Sequence, residues 1–425
     1  MTFFRCIVAV LTFGLHGIVL AKTHQPYVIM IGVDGLRPAT ITQQVMPYLY
    51  QLGQQGVNAK SMRPAMPSKT FVNFYSLATG LNPEHHGITS NYPFDRELNR
   101  GFSRKTDIED PYWWGGEPIW ITAEKQGVKA ATYFWVGSEV AIDGVRPTYW
   151  KPFQQDKDYG ERVTEVLKWL ALPEALRPHL ITLYFSAIDS AAHDYGVNST
   201  QEMQAIANVD RHIADLVAGI EQLGLRPQTN LVVVSDHGMA DVSDKRIINL
   251  DTWVDWSQFS IPDWNKKKNA VYAPYLNLYG DKAHVERAYE ALTTQPIAHL
   301  RVIRRGELPA NYHFDHPQRG PDLMLLADPG WSVYASADGS QPQSIAVSGR
   351  SAATHGYDNQ APEMAASFIA DGPAFATHKP VPTFDNIEVY NLVACALDVK
   401  PVKNDGDIHH VGQLLSADNQ KCLTN

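Results

Sequence analysis

Three stretches of the chain are almost wholly apolar and end in a polar cluster. Residues 27–33 (YVIMIGV) lead into Asp34-Gly35, residues 180–185 (LITLYF) run toward Asp189, and residues 231–234 (LVVV) stop at Ser235-Asp236-His237-Gly238. Short, continuous and rich in β-branched residues, such runs predict strands buried on both faces, the profile of a parallel sheet. Residues 130–135 (AATYFW) predict a fourth strand, with Gly137 behind it. Between the runs, apolar residues recur at helical spacing over 160–172 and over 200–223, the second stretch closed by Gly224. Strands alternating with helices predict an α/β fold with a wound, mostly parallel sheet, and ligands then gather beyond the carboxyl ends of the strands. Asp34, Asp189, Asp236 and His237 all fall there.

From about 252 to 348 the texture changes to Trp, Pro, Lys and short β-like runs, including 272–279 and 299–304. This predicts a small subdomain inserted into the main one, touching the core again around 321–328 (PDLMLLAD). A strand over 365–369 and a helix beginning near Asn386 complete the pattern, and no internal repeat or low-complexity segment interrupts it.

Residues 63–91 (RPAMPSKTFVNFYSLATGLNPEHHGITSN) carry the candidate nucleophile. Pro64, Pro67 and Ser68 form turns, 71–78 reads as a short helix, and Gly80 and Pro83 end it. Thr70 therefore stands at the amino end of a helix, where unpaired N–H groups and the positive end of the dipole suit a phosphate or a developing alkoxide. By itself the position is ordinary, because Ser or Thr before a helix is commonly an N-cap.

A chain of 425 residues, 44% hydrophobic and 19% charged, can bury a large core. Asp and Glu outnumber Lys and Arg by 45 to 36 and no basic run occurs, which argues against a nucleic-acid polymer as partner but not against small anions neutralised by metal ions. The first 21 residues hold one positive charge (Arg5), an apolar run over 6–20 and Val19 and Ala21 at the end, the form of a signal peptide cleaved after Ala21. Gly14, His16 and Gly17 interrupt that run, and a spanning helix wants about 20 continuous apolar residues, so no membrane span is expected. A secreted or periplasmic protein follows. Beyond the signal segment only Cys395 and Cys422 remain, a pair able to staple the tail in an oxidising compartment. One sequon, Asn198-Ser199-Thr200, matters only in a glycosylating host.

The polar residues at the strand ends resolve into donor sets. Asp189 and His193 are four apart and share one helix face, a spacing that serves a metal site or a simple ion pair. Asp236-His237 follows a strand, and His355 lies in the small-residue loop ATHGYD. Together they form two ligand sets: Asp189, His193 and His355 in one, and Asp34, Asp236, His237 and the oxygen of Thr70 in the other. Oxygen and imidazole donors suit two zinc ions, with manganese, cobalt or iron as poorer fits. Three carboxylates against two divalent cations leave a positive centre that attracts phosphate.

The residues also carry a resemblance. Residues 66–88 (MPSKTFVNFYSLATGLNPEHHGI), 116–123 (GEPIWITA), 189–196 (DSAAHDYG), 235–239 (SDHGM), 326–331 (LADPGW) and 354–359 (THGYDN) resemble, in order, the motifs of the nucleotide pyrophosphatase/phosphodiesterase family within the alkaline phosphatase superfamily. The match runs from Tyr27 to about Ala376. It implies an alkaline-phosphatase-like sheet with helices on both faces and one catalytic domain over 22–425. It makes Thr70 the nucleophile and fills both metal sets with zinc. It further implies Asn91 as donor to a phosphate oxygen and Phe71, with Phe153 by approximate alignment, as an aromatic clamp on a nucleobase. The implied activity is two-zinc hydrolysis of phosphodiester or pyrophosphate bonds in small nucleotides, releasing nucleoside 5′-monophosphate through a phospho-threonine.

Departures from the family also inform. The cysteine-rich modules and nuclease-like domain of animal members have no counterpart, as in a bacterial-type single domain. Residues 92–110 align too poorly to assign a phosphate-binding lysine. A phosphomonoesterase would need more charged groups beside Thr70, and a sulfatase would need a modifiable Cys or Ser two residues before Pro67, where Ala65 stands. A choline-phosphodiester or lysophospholipid phosphodiesterase of the same family would draw on Tyr112, Trp113 and Trp114 as an aromatic cage. The rival of a different class is a secreted, inactive binding homologue, against which the intact nucleophile and six candidate ligands speak.

Overall fold

The structure is a computed structural model that describes residues 25–262, 270–336 and 351–424, with single positions at 339, 342 and 343 between the last two stretches. The expected signal segment lies outside the described residues. Eight strands form one sheet: β1 (Tyr27–Val33), β2 (Val57–Ala59), β3 (Ala130–Tyr133), β4 (Tyr149–Lys151), β5 (Leu180–Phe185), β6 (Thr229–Val234), β7 (Phe368–Asp371) and β8 (Lys379–Val381). Their order is β8-β2-β7-β6-β1-β5-β3-β4. Only β7 runs against its neighbours, so the sheet is mixed by a single reversed strand. The strand expected at 365–369 begins three residues later, as β7, because Pro362–Met364 forms a turn of 3-10 helix first.

β1 lies between β5 and β6, and every residue of the three strands is buried, which is why these runs are apolar without alternation. Val33 pairs with Phe185, and Gly32 with Val234. The three strands therefore end level with one another. Asp34 and Asp236 leave that edge directly, and Asp189 sits in the first turn of the Ala187–Tyr195 helix that follows β5.

Two glycines let neighbouring pieces close on this edge. A Cβ at Gly32 would stand 2.6 Å from Phe74 Cε1 and 2.9 Å from Trp135 Cζ3, so its absence lets the Thr70–Thr79 helix bear directly on β1. Gly35, at φ 70°, would place a Cβ 3.1 Å from the Asp189 Cα. There the backbone N–H of Asp189 donates to the Asp34 carbonyl at 3.2 Å, tying the two carboxylate-bearing segments together.

A second hydrophobic cluster includes Leu276, Leu278, Leu323, Leu325 and Val333, and draws Ala240 and Met364 from outside the 252–348 stretch. It is built on two three-stranded sheets, one of Ile247–Asn249, Ser332–Ser336 and Ala270–Ala273, the other of Tyr275–Leu278, Leu323–Ala327 and Leu300–Arg304. Leu323–Ala327 pairs within the small sheet, and its alternate residues Met324 and Leu326 cluster with Met66, just before Thr70. At the carboxyl end Cys395 and Cys422 are joined, fastening the final turn to the Glu388–Ala396 helix. Among the described residues no helix is long and apolar enough to cross a membrane.

The loop leading to Asn91 is pinned by His86, which is fully buried. Its Nε2 donates to Ser76 Oγ at 2.9 Å, and its Nδ1 accepts from the Ile88 N–H at 3.0 Å. Both contacts need the neutral ring, and burial, with the charges of His316, His85 and Arg319, lowers its pKa from 6.5 to about 3. The unfolded chain then takes up a proton that the folded chain refuses, so stability is lost as pH falls from 6.5 toward 3. Between pH 7 and pH 4 His86 should remove on the order of 3 kcal/mol of stability. Urea unfolding at the two pH values should show a smaller acid loss for His86→Gln than for the native protein; equal losses would refute this account.

Candidate active site

The sheet edge gathers the predicted residues into one buried locus. Asp34, Asp236, His237 and His355 are all at most 3% exposed. Ligand atoms of Asp34, Asp236 and His237 lie within 4.8 Å of one another, as do those of Asp189, His237 and His355. His237 Nε2 is 2.9 Å from Asp236 Oδ2 and 3.5 Å from Asp34 Oδ1. Around Asp189 Oδ1 stand His193 Nε2 at 3.3 Å and His355 Nε2 at 3.7 Å. All six expected ligands thus converge. His237, assigned to one set from the sequence, borders both, its ring stacked on His355 with centroids 3.5 Å apart.

The hydrogen bonds around these groups show what they are aimed at. Nδ1 of His193 donates to the Ala353 carbonyl, Nδ1 of His237 to that of Gly238, and Nδ1 of His355 to that of Ser68, at 2.8, 2.9 and 2.8 Å. Each ring is fixed by its outer nitrogen, leaving Nε2 with a lone pair directed inward, the arrangement of a metal-binding imidazole. Asp236 Oδ1 accepts from the Gly35 N–H at 3.1 Å, and Asp34 Oδ2 accepts from the Tyr184 hydroxyl. The inner oxygens, Asp34 Oδ1, Asp236 Oδ2 and Asp189 Oδ1, are buried and accept no hydrogen bond. Orphaned carboxylate oxygens facing inward-turned imidazole nitrogens form a cavity of acceptors that protons or bound cations would satisfy. The donor set therefore fits divalent metal ions.

Titration behaviour agrees. Burial, then the charges of Asp236 and Asp189, push Asp34 well above the ordinary carboxylate range. Burial and Asp189 raise Asp236 to about 8. Burial opposes charge at Asp189 as well, but the adjacent His193 outweighs it and holds that carboxyl below its usual value. Conversely, His193 is raised against its own burial by Asp189. Burial lowers His237, and lowers His355 well below its free value with help from His237, Lys69 and His193. Protons alone thus leave two carboxyls reluctant to ionise; cations would remove that reluctance.

Thr70 is the first residue of its helix, with Lys69 as N-cap, and its Oγ1 lies 3.4 Å from His237 Nε2. The hydroxyl opens into a cavity of about 370 Å³ lined by Asp34, Asp189, Phe71, Asn91 and Phe153, among others. One expectation changes: the helix terminus does not present all its N–H groups to a ligand. The Phe71 N–H is taken by Asn91 Oδ1 at 2.9 Å, which leaves the Asn91 amide NH2 as donor toward the cavity. Phe153 is 43% exposed and meets Phe134 and Tyr184 edge-on, so it closes one wall of the cavity without belonging to the core.

Arg104 and Tyr184 are among the lining residues that the sequence did not mark as part of the site. Arg104 comes from the poorly alignable 92–110 segment; its guanidinium lies 4.3 Å from the Phe71 ring centroid and 4.7 Å from that of Tyr92. No local pattern distinguishes it from an ordinary loop arginine. Tyr184 was hidden inside an apolar run that reads as a strand. The proposed aromatic cage is absent from this site: Trp113 and Trp114 are core residues, and the Tyr112 hydroxyl donates to Asp95. None of the three lines the cavity.

Residues 28–358 match the sequence profile of the type I phosphodiesterase/nucleotide pyrophosphatase family. Venom phosphodiesterase CdcPDE of Crotalus durissus collilineatus is 36% identical over 402 residues, covering 93% of this chain and 47% of that protein. Ectonucleotide pyrophosphatase/phosphodiesterase family member 1 of Mus musculus is 36% identical over 406 residues, covering 93% of this chain and 43% of that protein. The chain thus spans about half the length of these relatives. Murine ectonucleotide pyrophosphatase/phosphodiesterase 5 superposes with a TM-score of 0.83 at 28% identity, over 92% of this chain and 100% of that one. An inactive variant of the same murine protein, solved with AMP, gives 0.82 at 29% identity over the same shares.

The crowded carboxylates yield a test. A carboxyl raised on folding contributes stability below its free pKa of 3.8 and loses it as pH rises through about 8, so the chelated protein should weaken across that window. Asp236→Asn removes the titration. In chelator at pH 9 the variant should melt above the native protein by roughly 5 °C or more, with the gap closing toward pH 4. Thermal melts at both pH values decide it; a native protein that melts higher at pH 9 would contradict this reading of Asp236.

Proposed function

The chain belongs to the type I phosphodiesterase/nucleotide pyrophosphatase family of the alkaline phosphatase superfamily, and we propose that it hydrolyses phosphodiester and pyrophosphate bonds of small nucleotides, releasing nucleoside 5′-monophosphate. The observation that carries this reading is the position of Thr70 Oγ1, 3.4 Å from His237 Nε2, which adjoins the orphaned Asp236 Oδ2, in the lining of an aromatic-walled cavity. One cation would be held by Asp34, Asp236, His237 and Thr70, the other by Asp189, His193 and His355. Zinc ions bound there would lower the pKa of the Thr70 hydroxyl and stabilise charge building on the phosphoryl oxygens.

The chain's own residues then do the following. The Thr70 hydroxyl loses its proton to solvent, and its oxygen attacks phosphorus. A bond forms from Thr70 Oγ1 to phosphorus as the bond to the leaving oxygen breaks, giving a phospho-threonine and an alcohol or phosphate. Asn91 donates its NH2 to a non-bridging oxygen, while Phe71 and Phe153 bracket a planar base. Arg104 adds a cation at the rim for a charged leaving group. Water next attacks the same phosphorus, the Thr70 oxygen departs and is reprotonated, and the nucleotide is freed. AMP in the related murine structure supports a mononucleotide product. The amino-terminal apolar run, with relatives named as venom and ecto-enzymes, supports a place outside the cytoplasm.

Two displacements preserve configuration. A chiral thiophosphate diester should be hydrolysed with retention at phosphorus, and inversion would rule out the threonine intermediate. Thr70→Ala should lose about 10³-fold or more in kcat on p-nitrophenyl thymidine monophosphate while keeping its metal content. Faster native turnover of p-nitrophenyl phosphate or p-nitrophenyl phosphorylcholine would replace the nucleotide reading with a monoesterase or choline-diester one. No turnover of any of them by metal-loaded protein would leave the inactive binding homologue.

A further inference from the structure

We propose that Tyr184 is a positioning residue for the cation site of Asp34, Asp236 and His237, its hydroxyl fixing the Asp34 carboxylate so that Oδ1 is committed to the ion. The proposal rests on the two-cation reading above.

Tyr184 is the fifth residue of β5, paired in register with Gly32 on β1, two residues before Asp34. It is 7% exposed, and its hydroxyl donates to Asp34 Oδ2. The other oxygen, Oδ1, has no hydrogen-bond partner and is the one that belongs with the ligand atoms of Asp236 and His237. A carboxylate free to turn about its terminal torsion would exchange its two oxygens and present a poorly defined donor. Pinning Oδ2 removes that freedom, as the backbone carbonyls do for the three imidazoles.

The ring itself has little room to move. It meets Phe74 edge-on at 5.2 Å, on the helix that begins with Thr70, and Phe153 at 6.2 Å, on the cavity wall. The tyrosine is thus wedged between the nucleophile's helix and the substrate cavity, and its one polar atom is spent on a metal ligand. A tyrosine retained only for packing would satisfy its hydroxyl equally well on a main-chain carbonyl or in solvent; here the phenol reaches a carboxylate whose second oxygen is orphaned.

Tyr184→Phe keeps the ring and deletes the contact. Zinc competition with a chromophoric chelator should show one of the two sites weakened by about 10-fold or more and the other unchanged. In an Asp34→Asn background the same substitution should add no further loss, because the group it orients is gone. With zinc saturating, kcat should fall while KM for p-nitrophenyl thymidine monophosphate stays within about two-fold. Unchanged affinity at both sites would overturn the proposal. So would equal weakening of both together with a lower melting temperature in chelator, since that is the signature of lost packing. Native protein that binds no zinc would instead defeat the two-cation reading, a separately visible result.

Discussion

Three carboxylates brought together in a buried space at the ends of adjacent strands are the constraint on which the rest of this molecule depends. Two like charges about 4 Å apart repel by roughly 4 kcal/mol even at an effective dielectric of 20, and here there are three. The sheet cannot relieve that repulsion by spreading, because the register of β1 with β5 and β6 and the missing Cβ at Gly35 hold the segments close. Protons are one remedy and cations the other. The three imidazoles, held at Nδ1 by main-chain carbonyls, turn their Nε2 atoms inward, the arrangement that suits the second.

Much of this was legible in the sequence because it follows from local pattern. Apolar runs with no alternation mark buried parallel strands, and a polar residue just beyond such a run has to lie at the sheet edge, so Asp34, Asp236 and the neighbourhood of Asp189 could be placed from spacing alone. Thr70 and the histidines then followed from chemistry and resemblance. What stayed hidden were contacts made across long separations by residues whose own surroundings carry no signal. Arg104 is one of several cations in a polar segment, beside Lys105, and its place over Phe71 depends on how 92–110 folds back. Tyr184 looks like one more apolar strand residue until its hydroxyl is traced to β1. Trp113 and Trp114 illustrate the opposite error: adjacent aromatics suggest a cage, but both are needed to fill the core around Phe102 and Tyr75.

The second hydrophobic cluster has a comparable hidden role. The stretch 321–328 is expected to touch the core again; the strand 323–327 pairs in a small sheet and makes that contact through Met324 and Leu326, which cluster with Met66. The residues just before Thr70 are therefore supported from this side, whereas the helix that begins with Thr70 is supported by β1 through Gly32. A serine nearby extends the same support to the ligands: Ser68, buried in that segment, offers its carbonyl to His355. Thr70 and the backing of His355 are set by one stretch of chain gripped from two directions.

Substrate recognition is arranged on the same economy of few, shared contacts. Helix termini bind phosphate through free N–H groups, but here the Phe71 N–H is already bonded to Asn91 Oδ1. The bond does two things. It closes the first turn of the helix without a side-chain cap from Lys69, and it fixes the amide of a cavity-lining residue by its oxygen, leaving its NH2 as the remaining donor. Recognition then depends on where the 87–91 loop stands, and that loop is held by a histidine that must stay neutral. The cluster of carboxylates and imidazoles and the Asn91 amide are therefore secured by separate devices, one electrostatic and one a buried hydrogen-bond pair, with Thr70 lining the same cavity as both.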